Sequence, residues 1–309
     1  MPEFIHKAVL LSESLAALNP RAGGRYIDGT VGGGGHARAI LEASSPDGWL
    51  YGCDRDPAAL EATAGGLTAF QDRFELRLMN FSELATWIPA ESCDGALLDL
   101  GVSSAQLDQA RRGFSFQHDG PLDMRMDPRH GTTAADLVNG LGEAELTRIF
   151  FQFGEEPQGK RFAKAIVQAR AARRFETTRQ LAEFIERLAP RRGQARHPAT
   201  LVFQALRIAV NDEWSSLRSG LAAAWSRLKI GGRLAVITFH SAEDRLVKEF
   251  GRAEARDYTF AGTVDVPELR RPKVPQLKWV ERKAIRPQAS EIRDNPRARS
   301  AQLRVMERI

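Results

Sequence analysis

Four short apolar runs, at residues 25–30, 49–54, 74–80 and 93–100, alternate with helix-compatible stretches in the first third of this 309-residue chain. Near-continuous apolar strands of this length are buried on both faces. They predict a parallel sheet covered by helices, the opening half of a doubly wound α/β fold. After Leu100 the alternation stops for about a hundred residues. The stretch ATLVFQALRIAVNDEWSSL, apolar at helical intervals, marks this part as a mainly helical insertion. Alternation then resumes with a helix ending near Lys229, a stop at Gly231-Gly232, a strand over 233–239 and a helix from about Ser241. Residues 276–285 and 300–309 read as a closing pair of strands. The main domain is therefore expected to be discontinuous, formed by 1–104 and 216–309 around an inserted domain at 105–215.

Charge is segregated. Residues 157–210 hold 12 Lys and Arg against 3 Asp and Glu, and residues 270–309 hold 12 against 4, within a chain of net charge +5. The rest is acidic, so two basic surfaces are expected to face a polyanion, with nucleic acid as the natural partner and solvated helix faces as the plainer explanation. The cysteines, Cys53 and Cys93, sit in strand-like runs and read as buried hydrophobes of a reducing compartment. The six histidines form no HxxxH pair and have no cysteine at ligand spacing, so no metal site is expected. Without a basic n-region, a signal-like apolar stretch or a run of about 18 apolar residues, the chain is expected to be cytoplasmic and to have no membrane partner.

Three motifs carry chemistry. In Asp28-Gly29-Thr30-Val31-Gly32-Gly33-Gly34-Gly35-His36, a glycine-rich turn leaves a strand and enters a helix. Backbone without Cβ atoms can approach a ligand closely, and the helix N-terminus offers free N–H groups, so a nucleotide-type cofactor fits. The turn also satisfies GxGxxA with Asp54 downstream, a pattern compatible with a nicotinamide dinucleotide and a dehydrogenase. Asp54 is placed to accept from both ribose hydroxyls of an adenosine group, whereas Asp56, followed by Pro57, suits a helix cap. The third motif, Asp94-Gly95-Ala96-Leu97-Leu98-Asp99-Leu100-Gly101-Val102-Ser103-Ser104, ends the fourth strand, at the edge where parallel sheets bind ligands. An exocyclic base amine is a poor nucleophile because its lone pair is delocalised into the ring. Asp99 and the Leu100 carbonyl, accepting from its N–H groups, would help localise that pair, and in-line positioning would supply much of the rate.

The run from Asp99 to Asp108, followed by Arg112-Gly113-Phe114-Ser115-Phe116 and Gly120-Pro121-Leu122-Asp123-Met124-Arg125-Met126-Asp127, resembles the RsmH (MraW) family. Further matches are His6-Lys7-Ala8-Val9-Leu10-Leu11, Arg196-His197-Pro198-Ala199-Thr200, Phe203-Gln204-Ala205-Leu206-Arg207, Asn211-Asp212-Glu213, the segment from Phe239 to Arg245, and the segment from Asn295 to Ser300. Together they span essentially the whole chain. The resemblance implies a class I S-adenosylmethionine-dependent methyltransferase, a Rossmann-like sheet with an inserted helical domain. It further implies N4-methylation of a cytidine in the decoding region of bacterial 16S rRNA on the assembled small ribosomal subunit. It places cofactor contacts on Gly34, Gly35, His36, Asp54, Phe81, Asp99 and Gln106. For Asp99 this stands beside the chemical argument that it meets the target amine, and the two roles stay open.

General amino-methyltransferase motifs end in two prolines and an aromatic that stacks on the flipped base, whereas here Leu-Gly-Val follows the Asp. The stacking group must then come from elsewhere, with Phe114, Phe116, Phe239 and His240 as candidates, each equally placed to be a packing residue. Ser103, Ser104, Asp123, Arg125 and His240 are expected to border the reaction cleft. Arg125 is a candidate for an RNA phosphate, although pairing with Asp123 or Asp127 is its plainer role. The basic helices of the insertion and the C-terminal Arg cluster are expected to hold the RNA backbone. A non-catalytic rRNA-binding assembly factor is the alternative that also needs the basic segments, and turnover separates the two. The oligomeric state is left open, with a homodimer among the options.

Overall fold

The computed structural model describes residues 8–190, 197–260 and 265–309, so His6, Lys7 and Arg196 of the matching motifs lie outside the described residues. The chain divides into two compact units, Met1–Gly101 with Ser215–Ile309, and Val102–Trp214.

The first unit opens with α1 (Leu11–Leu18), β1 (Arg25–Asp28), α2 (Gly35–Ala43), β2 (Trp49–Asp54), α3 (Pro57–Gly66), β3 (Phe74–Leu78) and β4 (Cys93–Asp99). The second holds α4 (Ser104–Asp108), α5 (Ala134–Gly140), α6 (Glu143–Gly154), α7 (Gly159–Arg170), α8 (Thr178–Leu188) and α9 (Thr200–Asn211). The chain returns through α10 (Glu213–Arg227) to β5 (Leu228–Thr238), α11 (Ser241–Ala255), β6 (Tyr258–Phe260), β7 (Arg270–Pro272), β8 (Leu277–Trp279), α12 (Ala289–Asp294) and β9 (Gln302–Arg308).

Seven strands form one sheet in the order β3-β2-β1-β4-β5-β9-β8, and β6 pairs with β7 separately. The first five are parallel, and β9 runs antiparallel to both of its neighbours. The apolar runs explain this: Ile27, Leu50, Leu97, Leu98, Val236 and Ile237 are fully buried, as strands covered on both faces must be. The order reverses at β1 and β4, which puts the ends of those two strands at the topological switch point where such sheets bind ligands. The second unit has its own core, in which Phe150, Phe162, Ile166, Leu181 and Leu206 are completely buried.

Two local expectations need correction, and the helical stretch after residue 199 gains a break. The glycine pair Gly231-Gly232 does not stop a helix, because α10 ends at Arg227 and β5 already runs from Leu228. Pairing with β4 passes from Cys93↔Leu228 to Gly95↔Arg233, so the glycines take up a bulge, Gly231 at φ +81°. The long amphipathic stretch is two helices, broken where Asp212 adopts φ +46° and the first helix ends. The expected strand over 276–285 is confined to Leu277–Trp279. Charged Glu281, Arg282 and Lys283 face solvent, and contact with β9 resumes only at Ile285↔Leu303.

Candidate active site

The glycine-rich turn is fixed by the strand beside it. Val31 N–H donates to the Cys53 carbonyl at 3.1 Å, Gly32 N–H to Asp54 Oδ2 at 3.0 Å, and Thr63 Oγ1 to the Gly32 carbonyl at 3.1 Å. Gly34, at φ +80°, then turns the chain into α2. Conformation therefore calls for glycine, and a Cβ there would also press on the Thr63 side chain at 3.3 Å. Gly35 and His36 open α2, whose first turn leaves amide groups without helical partners.

Asp54 ends β2 and accepts from Asp56 N–H at 2.9 Å as well as from Gly32. Burial pushes its pKa up, with those two N–H bonds opposing the rise. Asp56 caps α3 by accepting from Ala58 N–H at 3.1 Å, with Pro57 at the first helical position. Phe81, half-buried, follows β3 and packs against the backbone at Gly29 and Gly220. A Cβ at Gly220 would fall 2.1 Å from its ring.

Asp99 ends β4. Its N–H donates to Thr30 Oγ1 at 2.7 Å, which ties the end of β4 to the glycine-rich turn. The side chain is 19% exposed, yet Oδ1 is buried without a partner, and Oδ2 lies 3.8 Å from His36 Nδ1. Burial, reinforced by the carboxylates of Asp28 and Glu243, pushes its pKa well above the usual carboxylate range. Asp28, at the end of β1, is 1% exposed, accepts from Thr30 N–H at 3.1 Å through Oδ1, and leaves Oδ2 buried without a partner. Burial, partly opposed by that bond and aided by Asp54, raises its pKa to about 7.

His240 caps α11, its Nδ1 accepting from Glu243 N–H at 3.4 Å. Its Nε2 is 2.8 Å from Glu243 Oε1 but outside hydrogen-bond alignment. Glu243, 3% exposed, accepts from Phe239 N–H at 2.9 Å. Asp28, Thr30 and Glu243 were given no role from sequence. The signal was present in two quoted motifs, but only the fold brings these segments to one sheet edge.

The remaining candidates belong to the second unit. Ser103 caps α4 in a capping box, accepting from Gln106 N–H at 3.2 Å while Gln106 Oε1 accepts from Ser103 N–H at 2.9 Å. Ser104 is the first residue of that helix. Phe114 is 7% exposed within the unit's core. Phe116 packs against the same core, edge-on to Phe203 with ring centroids 4.8 Å apart and tilted against His197 at 4.7 Å. For both phenylalanines the structure shows the packing role. Arg125 is clamped by Asp123 through two bonds of 2.8 and 2.7 Å, the plainer of its two roles. Asn211, to which sequence gave no role, is 3% exposed; it accepts from Met126 N–H at 2.8 Å and donates to the Met124 carbonyl at 2.8 Å.

Among the described residues no group of three or more His, Cys, Asp or Glu side chains could hold a metal ion, and no helix is long and apolar enough to cross a membrane.

Two buried carboxylate oxygens without partners are costly unless a ligand complements them. S-adenosylmethionine carries a sulfonium and an ammonium beside an adenosine, and so has the positive charge and the hydroxyls that buried carboxylates can accept. A turn without Cβ atoms, a helix N-terminus and these carboxylates on a sheet of this order are the parts of an S-adenosylmethionine-dependent methyltransferase. The chain belongs to the MraW methylase family, whose model matches residues 3–309. It is 51% identical to a ribosomal RNA small subunit methyltransferase H from Syntrophotalea carbinolica, over 99% of this chain and 98% of that one. It is also 51% identical to the protein of the same name from Citrifermentans bemidjiense, over 100% of both chains. A solved putative rRNA-methylase from Clostridium thermocellum overlays with a TM-score of 0.48 and 12% identity, over 99% of this chain and 100% of that one.

Proposed function

We propose that the chain methylates N4 of a cytidine in the decoding region of 16S rRNA, acting on the assembled small ribosomal subunit in the cytoplasm. The observation that carries this reading is Asp99, with one buried oxygen lacking a partner, at the end of β4 and followed by the Leu100 carbonyl. An exocyclic amine offers two N–H groups, and these two acceptors suit it. The names of the full-length relatives, ribosomal RNA small subunit methyltransferase H, support RNA of the small subunit as the substrate.

S-adenosylmethionine, when bound, supplies an electrophilic methyl group on a sulfonium. Gly34, Gly35, His36, Asp54, Phe81 and Gln106 are assigned to holding it. Asp99 and the Leu100 carbonyl would orient the target amine in line with that methyl group. The methylated nitrogen is then a strong acid, and its proton passes to Asp99, whose carboxylate burial makes more basic than usual. Ser103, Ser104 and His240 are assigned to the RNA side. Membership of a methylase family displaces the nicotinamide dehydrogenase alternative.

The test is incubation with methyl-labelled S-adenosylmethionine and small subunits lacking the modification, followed by nuclease mapping, with Asp99→Ala as control. Label recovered as N4-methylcytidine and lost in the control is the expected result. Cofactor binding without transfer to subunits or free rRNA would favour the assembly-factor alternative.

A further inference from the structure

Asp99, Ile237, Leu303 and Ile285 stand in one row across the carboxyl edge of the sheet, through the pairings Asp99↔Ile237, Ile237↔Leu303 and Ile285↔Leu303. Three strand spacings separate the ends of the row, roughly 14 Å. The chain between β8 and β9 rises to this edge and carries α12. There Glu291 Oε1 accepts from Leu10 N–H at 2.8 Å, one residue beyond Val9, whose carbonyl meets His36 Nε2 at 3.1 Å. The segment is thus anchored to the same wall as the cofactor turn.

Its charges are unusual for this unit. Elsewhere most cations are neutralised: Arg21 and Lys229 share Asp94, Lys248 and Arg304 share Asp244, and Arg233 and Lys278 share Glu307. Among the described residues, Arg282, Lys283, Arg286, Arg293 and Arg299 form no ion pair, and all five are exposed. Long cationic side chains held on an ordered segment without internal counterions take their counterions from outside. Several of them on a segment that reaches the reaction edge suit a chain of phosphates.

We infer that the segment from Arg282 to Arg299 is a phosphate-binding track, which grips the RNA strand flanking the target nucleotide on the β9 side of Asp99. This rests on the reading that the substrate is RNA. Contacts of this kind fix position and carry no sequence information, so they act on substrate binding and leave the chemical step alone.

The test compares Arg282→Gln/Lys283→Gln/Arg286→Gln with the wild type in salt-dependent binding of a fluorescein-labelled RNA oligonucleotide of the decoding-region sequence. Arg252→Gln/Arg271→Gln serves as a control with two exposed cations away from the row. Releasing fewer counterions should lower the magnitude of the slope of log affinity against log salt by about 2 in the triple variant, at ~0.7 per phosphate contact. The control should leave it unchanged, and Arg282→Lys/Arg286→Lys should restore it. With small subunits as substrate, KM should rise several-fold in the triple variant at constant kcat. An unchanged slope in the triple variant, or an equal fall in the control, overturns the track while leaving methyl transfer by the wild type intact. A wild type that binds no RNA overturns both the track and the reading beneath it.

Discussion

His36 Nδ1 stands 3.8 Å from Asp99 Oδ2, while the opposite ring nitrogen, Nε2, meets the Val9 carbonyl at 3.1 Å. A carbonyl can only accept, so Nε2 carries the proton of that bond, and the other ring nitrogen faces Asp99. At 3.8 Å the two do not hydrogen-bond. The imidazole therefore covers one carboxylate oxygen without satisfying it, and leaves Oδ1 for a ligand.

Replacing Asp99 by Asn keeps the shape of the side chain but removes its basicity. Methyl transfer to small subunits is expected to fall by about 100-fold or more, while S-adenosylmethionine binding, measured by calorimetry, stays within roughly tenfold of wild type. A parallel collapse of both would make Asp99 a cofactor ligand and not a partner of the amine.

Asp28 makes stability depend on pH in a definite direction. Its folded pKa of about 7 lies above the ordinary 3.8, so the folded state holds a proton that the unfolded chain has already lost over that interval. Stability contributed by this group is complete below pH 3.8 and is lost as pH rises to about 7, up to about 4 kcal/mol in all. Asp28→Asn should be more stable than wild type in urea at pH 8, with the advantage shrinking toward pH 4. An advantage independent of pH would show that Asp28 is not the titrating group.

Gly34→Ala places a Cβ at φ +80° and 3.3 Å from Thr63. The left-handed backbone costs ~1–2 kcal/mol for a residue with a side chain. Relief by rotating the turn would spoil the cofactor cradle. Lower thermal stability and roughly tenfold weaker cofactor binding are expected together; unaltered binding would remove the turn from the cofactor site.

Asn211→Ala in the second unit strands the Met126 N–H and the Met124 carbonyl. Losing a buried bridge of this kind costs about 2–4 kcal/mol. Amide exchange should quicken over residues 122–127 before it does in α7 or α8. Uniform quickening through the unit would point to a global loss of packing.

The strands were legible because a parallel sheet writes itself as apolar runs, and β2 occupies the very residues its run predicts. The break at Asp212 was not, since apolar spacing continues across it and only a backbone angle ends the helix. Gly231-Gly232 misled for a related reason: glycine marks positive φ, and a bulge uses it as readily as a helix end. Asp54 and Asp99 stood out in sequence as carboxylates closing apolar runs. The coupling of Asp28, Asp99 and Glu243 stayed hidden, because three segments far apart in the chain meet only when β1, β4 and β5 lie side by side.

The interior place of β9 sets an order of events during synthesis. The strand order puts residues 302–308 between β5 and β8, so the first unit's sheet cannot close while a ribosome still holds them. Residues 102–214 form a contiguous unit with a core of its own, available to fold as soon as it has emerged. The nascent chain therefore passes through a stage in which the insertion is built and the flanking edge of β5 is bare, and during that stage β5 is the strand in need of chaperone cover.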